Sequence, residues 1–345
     1  MRTAIRDAHR ESSRRYRMAL VLGASLAAAA VLLSVTLGPA EVSRRDYWAA
    51  LTQYDDAVDG QFVVRQMRFP RAIVAAMVGG SLATAGALMQ GVTQNPLASP
   101  SIMGLSSGGT LCLLVGILMN PRLDYSQSVA LSFGGALLGY VVVCAVALLS
   151  RGGVTPTAFA LAGAVVSAVF AAITHGLTIC FGLHDELLYW TVGGISHVTW
   201  PQVCFLAPLC VAGLGLAIVL APTVNILSLG KEVAAGLGQR MTRIRMAVAF
   251  AVLILTAGAI AVSGPVGFVG LMVPHVSRKF AGVDYRRILP LAITFGALLT
   301  MLADCAGRLL PGGRDLPLGM FTSFIGAPFF VYLARRRKVS TAVDG

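Results

Sequence analysis

Asp304 and Arg308 lie four positions apart inside an apolar run, so they can meet on one face of a helix. An acid at that depth can serve a proton relay, but a single acid beside a single cation reads more simply as a structural ion pair. His175, in another apolar run, either faces a substrate path or is a hydrogen-bonded packing histidine, and the packing reading is favoured. His275 follows Pro274 and has no His, Asp or Cys nearby in sequence with which to hold a metal. A hydrogen bond to local backbone or to the next segment is expected of it. Six cysteines (Cys112, Cys144, Cys180, Cys204, Cys210 and Cys305) show no C-x-x-C spacing and read as small buried thiols. The chain has no G-x-x-x-x-G-K-[ST], H-E-x-x-H or G-x-S-x-G. Gly230-Lys231 lacks both the upstream glycine and the Ser/Thr of a phosphate-binding loop. The sequence therefore offers no catalytic site, no metal site and no cofactor site.

The elements that hold these residues follow from composition. Of 345 residues, 56% are hydrophobic and 12% charged, about half the charged fraction usual in a soluble domain. Runs such as Met18 to Leu37, Arg71 to Gln90, Val129 to Leu149 and Met246 to Val262 each match the length of a bilayer-crossing helix. The formal charge of +12 would suggest nucleic acid in a soluble chain, but the cations cluster at alternate loops, and no nucleic-acid partner is expected. They gather at Arg2 to Arg17, Arg151, Lys231 to Arg245, Arg278 to Arg287 and Arg335 to Lys338, while the acids fill the intervening loops. The positive-inside rule then places both termini in the cytoplasm, with an even number of spans, about ten. The arginine-rich start reads as a retained first helix and not a cleaved signal peptide, because no convincing A-x-A site follows it.

The expected organisation is a basic N-terminus over 1–17, one membrane domain over 18–335 and a C-terminal tail over 336–345. An acidic outside segment runs from Gly38 to Phe69, with a short surface helix in "YWAALTQYDD". Helix two starts at "RFPR", with Pro70 in its first turn, and helix six reaches about Leu220. The longest inside loop, about 222–245, carries a short amphipathic helix between Leu229 and Leu237, ended by Gly236 and Gly238. A short helix follows Gly264 and Pro265, with Gly267 and Gly270 permitting tight packing.

Two halves repeat. Arg243 follows Arg71 by 172 positions (243 − 71), and "TAGA" recurs at the same offset, at Thr84 and Thr256 (256 − 84). Each copy leads into a Gly/Pro-broken stretch ending in Gly-Leu. An odd number of spans between the copies makes the topology inverted, the usual architecture of a transporter built around a central path. Arg68, Arg71 and Arg308 then fall outside, where lipid phosphates account for isolated arginines and a grouped set can instead hold an acidic partner through paired hydrogen bonds.

"RFPRAIVAAMVGGSLATAGALMQGVTQNPLASPSIMGLSSGG", "NILSLGKEVAAGLG", "GPVGFVGLMVPHVSR" and "LPLGMFTSFIGAPFFVYL" closely resemble, in order and spacing, the FecCD-like permeases of type II ABC importers. The resemblance implies an all-α polytopic fold of ten helices, paired with a second copy or a paralogue to form the pore. It implies two cytoplasmic ATPase subunits and a periplasmic or lipid-anchored substrate-binding protein as partners, and a place in the bacterial inner membrane. It implies that Leu229, Glu232, Ala235 and Leu237 dock into the ATPase and that Arg68, Arg71 and Arg308 pair with glutamates of the binding protein. It further implies a cytoplasmic gate at Asn95 and Leu97, with Thr157 a weaker candidate because "TPTA" departs from the usual loop. The expected mechanism is alternating access without covalent chemistry, through a cavity lined by small residues of helices five and ten. An iron-siderophore is the expected cargo; haem, the alternative beside cobalamin, would bring His175 or His197 into contact with it. An ion-coupled secondary transporter shares the repeat, but the buried coupling carboxylates it needs are missing.

Overall fold

A computed structural model of the chain describes residues 2–38, 40–149, 156–183, 190–228, 241–309 and 315–343. The side chains of residues 2–10, 101–102, 156–157, 241–242, 334 and 336–343 lie outside that description. Among the described residues the fold is all-α, without strands. Its helices are α1 (Arg2–Thr36), α2 (Arg44–Thr52), α3 (Asp59–Phe62), α4 (Phe69–Thr93), α5 (Leu105–Met119) and α6 (Tyr125–Leu148). They continue with α7 (Pro156–Phe181), α8 (Trp200–Ser228), α9 (Met241–Ser263), α10 (Val269–Ala281), α11 (Tyr285–Leu309) and α12 (Leu318–Val343). Seven of these helical stretches are long and apolar enough to cross a membrane. With the shorter apolar helices, α5 and Leu318–Leu333, and the 13-residue α10, the described residues supply ten such elements.

Two sequence expectations are refined at prolines. Helix two begins at Phe69 with Pro70 in its first turn, as expected, but no break precedes it: α3 passes through a π-helical turn, Val63–Arg68, directly into α4. There the Phe69 N–H donates to the Val64 carbonyl, five residues back. Widening the turn keeps the pyrrolidine ring of Pro70 clear of the preceding carbonyls, so the helix continues where an α-turn would break. Helix six does not stop near Leu220, because α8 carries Pro208 and Pro222 inside one helix. Of the 222–245 loop expected from sequence, 222–228 belong to α8 and 241–245 to α9, while 229–240, with the short helix expected there, lie outside the described residues.

The centre of the bundle is α4, buried at every position from Val78 to Gly91. Small residues make this possible. A Cβ on Gly86 would overlap the Gly270 carbonyl oxygen of α10, and one on Gly79 would overlap that of Gly296 on α11. Backbone therefore meets backbone, the contact that dispersion rewards where lipid tails remove the hydrophobic advantage of larger side chains. Of the two glycines expected to permit this packing, Gly270 does so, while Gly267 faces only the Ser323 hydroxyl at 3.4 Å.

The two ends of the bundle are distinct. Trp200 Nε1 donates to the Arg65 carbonyl, Gln202 Nε2 to Ser126 Oγ and Tyr125 Oη to the Val262 carbonyl. These bonds gather the start of α4, the starts of α6 and α8 and the end of α9 at one end, called here the Arg71 end. The end of α8 meets the end of α4 at the other, the Gln90 end, where Gln94 Nε2 donates to the Leu227 carbonyl. The helices that carry the "TAGA" copies, α4 and α9, consequently run antiparallel and pack side by side.

Candidate functional site

The Arg71 end holds the buried charges. Arg71 reaches Asp304 through Nε at 3.0 and 3.2 Å and through Nη2 at 2.9 Å. Its Nη1 binds Asp315. Arg308 Nη2 meets the other oxygen of Asp304 at 2.6 Å, the i,i+4 pair expected from sequence. Asp304 is 2% exposed, so two guanidinium groups share one carboxylate out of contact with water. Hydrogen bonds from the remaining donors offset part of the cost of keeping such a cluster from water.

Of those donors, the buried Arg308 Nε has no hydrogen-bond partner among the described residues, and the others go to Asp315 or to the end of α1. Arg308 donates to the Ser34 and Leu37 carbonyls at 2.9 and 3.1 Å and to Ser34 Oγ at 2.6 Å. Arg68 donates to the Val35, Thr36 and Ala40 carbonyls at 3.1, 2.9 and 2.6 Å and to Tyr47 Oη. The last carbonyls of a helix lack intrahelical donors and carry partial negative charge, and two arginines supply both the hydrogen bonds and the compensating charge. All three arginines expected at the surface are buried, at 5% to 8% exposure. Sequence spacing announced only the Arg308–Asp304 pair; the other partners of the three arginines come from other helices or from the segments that follow them. Arg65 is an exposed cation of the neighbourhood, stacked 4.4 Å from the Tyr54 ring. The Tyr54 phenol is pushed up from its ordinary pKa, first by its hydrogen bond with Asp56.

An open cleft of about 780 Å³ lies between α12 and the broken segment ahead of α10. Val192, Pro265, Gly267, Met320, Ser323 and Phe324 line it, and none of its lining residues is charged. The segment is held by unusual backbone: Gly264 has φ +65° and Phe268, the residue ahead of α10, has φ +66°. Phe268 presses onto Gly326 of α12, where any Cβ would overlap its side chain. Gly319, Ser323 and Ala327 of α12 line this cleft, and no residue of α7 does. His175 and His197 are both exposed and neither lines the cleft. His275 packs edge-on against Phe329 at 5.7 Å.

At the Gln90 end, Asn95 folds the segment after α4. Its side-chain oxygen accepts from the Leu97 N–H at 3.0 Å, and its carbonyl accepts from the Ala98 N–H at 3.0 Å. Leu97 is half-buried there. Thr157 lies in the first turn of α7, with its side chain outside the described residues. Leu229, Glu232, Ala235 and Leu237 lie outside the described residues altogether.

Among the described residues, this arrangement does not set a nucleophile against a base. Buried charge gathers at one end of a helix bundle, an uncharged cleft opens beside a strained segment, and a hydrogen-bonded turn follows α4 at the other end. The chain is 40% identical over 329 residues to the iron(3+)-hydroxamate import system permease protein FhuB of Bacillus subtilis, covering 95% of this chain and 86% of that protein. It is 40% identical over 304 residues to the Fe(3+)-citrate import system permease protein YfmD of the same organism, covering 88% and 90%. A solved ABC transporter assigned to the metal-chelate type, in an inward-facing conformation, superimposes with a TM-score of 0.79 at 26% identity, covering 92% of this chain and 98% of that one. With residues 18–336 matching the family model as well, the chain belongs to the FecCD transport family.

Proposed function

We propose that the protein is the permease subunit of an ATP-driven importer and carries an iron(III) chelate across the bacterial inner membrane. As a member of a transport family it is a permease and not an enzyme, so its work is conformational. The observation that carries the reading is the uncharged cleft against α12. A large chelate needs room and weak contacts, because a site that bound it tightly would not release it. Phe324 is 79% exposed beside that cleft, and a second copy of the chain, or a paralogue, closes the open side into a central path. Iron hydroxamate and iron citrate in the names of the similar permeases support a ferric chelate as cargo. His175 and His197, the contacts a haem cargo would use, are not among the residues lining the cleft, so the ferric chelate is the preferred cargo.

In this reading the basic termini and the Gln90 end face the cytoplasm, and the Arg71 end faces outward. Two ATPase subunits engage the segment between Ser228 and Met241 through Leu229, Glu232, Ala235 and Leu237. ATP binding draws those subunits together, and the cleft alternates between its two openings. The turn at Asn95 and Leu97, with Thr157 beside it in the family pattern, closes the inner side. The binding protein settles on the outer end around Arg68, Arg71 and Arg308. Of their carboxylate partners Asp315 is the more accessible, with its side chain 29% exposed. A glutamate from the binding protein gains Arg71 by displacing Asp315.

Reconstitution with the cognate ATPase and binding protein in liposomes tests the reading. ATP-dependent uptake of radio-iron as ferric hydroxamate or ferric citrate is the expected result. Uptake that follows a proton gradient without ATP would make this an ion-coupled carrier instead.

A further inference from the structure

The Gln90 end contains a set of polar contacts that the family reading leaves unused. Gln94, the residue that ends α4, is held at φ +53°, a conformation that costs a non-glycine residue energy. Its amide donates to the Leu227 carbonyl at 2.9 Å. Leu227 lies two residues ahead of Leu229, and Gln94 directly precedes the Asn95 turn. A strained residue thus ties the segment proposed to receive the ATPase to the segment proposed to gate the path.

A second connection runs in parallel. Asn225 Oδ1 accepts from the Tyr285 N–H and its Nδ2 donates to Asp284 Oδ1, both at 2.6 Å. Asn225 therefore caps the start of α11 from the end of α8, satisfying an N–H that the helix itself cannot. The Tyr285 hydroxyl accepts from Arg278 Nη2 at 3.3 Å, and Arg278 Nη1 donates to Gln90 Oε1 at 2.7 Å. The Gln90 amide then faces the Gly270, Leu271 and Ala98 carbonyls at 3.3 to 3.5 Å. These long contacts break more readily than the rest of the chain. Gly91 keeps the layers close, because a Cβ there would press on Val224 and on the Tyr285 ring.

We infer that Gln94 and the chain Asn225, Tyr285, Arg278, Gln90 are positioning residues that carry movement from the end of α8 to the inner gate. The Gln94 strut moves the gate turn directly. The relay moves α10, and with it the broken segment beside the cleft, by letting the Gln90 amide exchange carbonyl partners. The inference rests on the permease reading above and adds the path by which the ATPase stroke reaches the gate.

The test uses the reconstituted complex of permease, ATPase and binding protein, supplied with whichever of ferric citrate and a ferric trihydroxamate the wild type takes up. Gln94→Gly removes the strut and relieves the backbone strain, so folding is spared. Asn225→Ala breaks the relay at its first link. Each variant is expected to hydrolyse ATP within about twofold of wild type while chelate moved per ATP falls about fivefold or more, within the range of a coupling free energy between sites. Transport per ATP equal to wild type in both variants would overturn the inference, as would ATP hydrolysis and transport falling in strict proportion. A wild-type complex that moves neither chelate with ATP would instead bring down the permease reading itself.

Discussion

Arg71 and Asp304, separated by 233 positions in sequence, share a buried two-pronged contact that fastens the start of α4 to the end of α11. The same carboxylate holds Arg308, which in turn caps α1. Asp304→Asn leaves two buried guanidinium groups around a neutral amide. Loss of about 3–5 kcal/mol of stability is expected, as when one partner of a buried ion pair is removed. Thermal unfolding of the detergent-solubilised permease measures it, and an unchanged midpoint would show that the cluster is not a lock.

Asp315→Asn has a different expected outcome. Its carboxylate is partly exposed, so the cost to stability stays below about 1 kcal/mol. With Arg71 less occupied, the cognate binding protein is expected to bind up to about fivefold more tightly, the equivalent of one exposed ion pair. Titration of that protein onto the permease in nanodiscs reads the change, and weaker binding would count against carboxylate exchange.

Gly86→Ala tests the backbone contact with Gly270. The added methyl has no space, and destabilisation of about 1–3 kcal/mol or more is expected from overpacking. Gly215→Ala, at a glycine of α8 with nothing within 4 Å of its virtual Cβ, supplies the control and is expected to be neutral or slightly stabilising, since Ala is the better helix former.

Met320→Cys, introduced after the six native cysteines are replaced, reports on the closing of the cleft. A short bismaleimide is expected to join two copies through position 320 in membranes containing the ATPase. Absence of a cross-linked pair of this chain, with the complex intact, would point to a paralogue as the second wall.

Much of this architecture was legible in the sequence for a definite reason. Hydropathy reports how long a segment stays in lipid, so ten helices and their order could be read, and an i,i+4 spacing announced the Asp304 and Arg308 pair. Arg71 was read as a surface cation because its counter-charges, Asp304 and Asp315, lie more than 230 positions away, and no local pattern encodes such a meeting. Pro70 and Pro222 looked like boundaries because a proline removes one donor, but a π-turn or a long helix end absorbs that loss. The edge-on contact of His275 with Phe329 was not legible, because it depends on where α12 packs.

Phe268 and Gly326 carry a consequence for the history of the chain. The ring of the first fills the space where the second has no side chain, and the first also holds a left-handed backbone that Asn or Gly would adopt more easily. A Cβ at 326 would meet the Phe268 Cβ as well as its ring, so a change there to any larger residue is survivable only after 268 has become glycine. Among descendants of a common ancestor the two sites should therefore change in that order, and the genotype with a side chain at 326 beside an aromatic at 268 should be missing from the lineage.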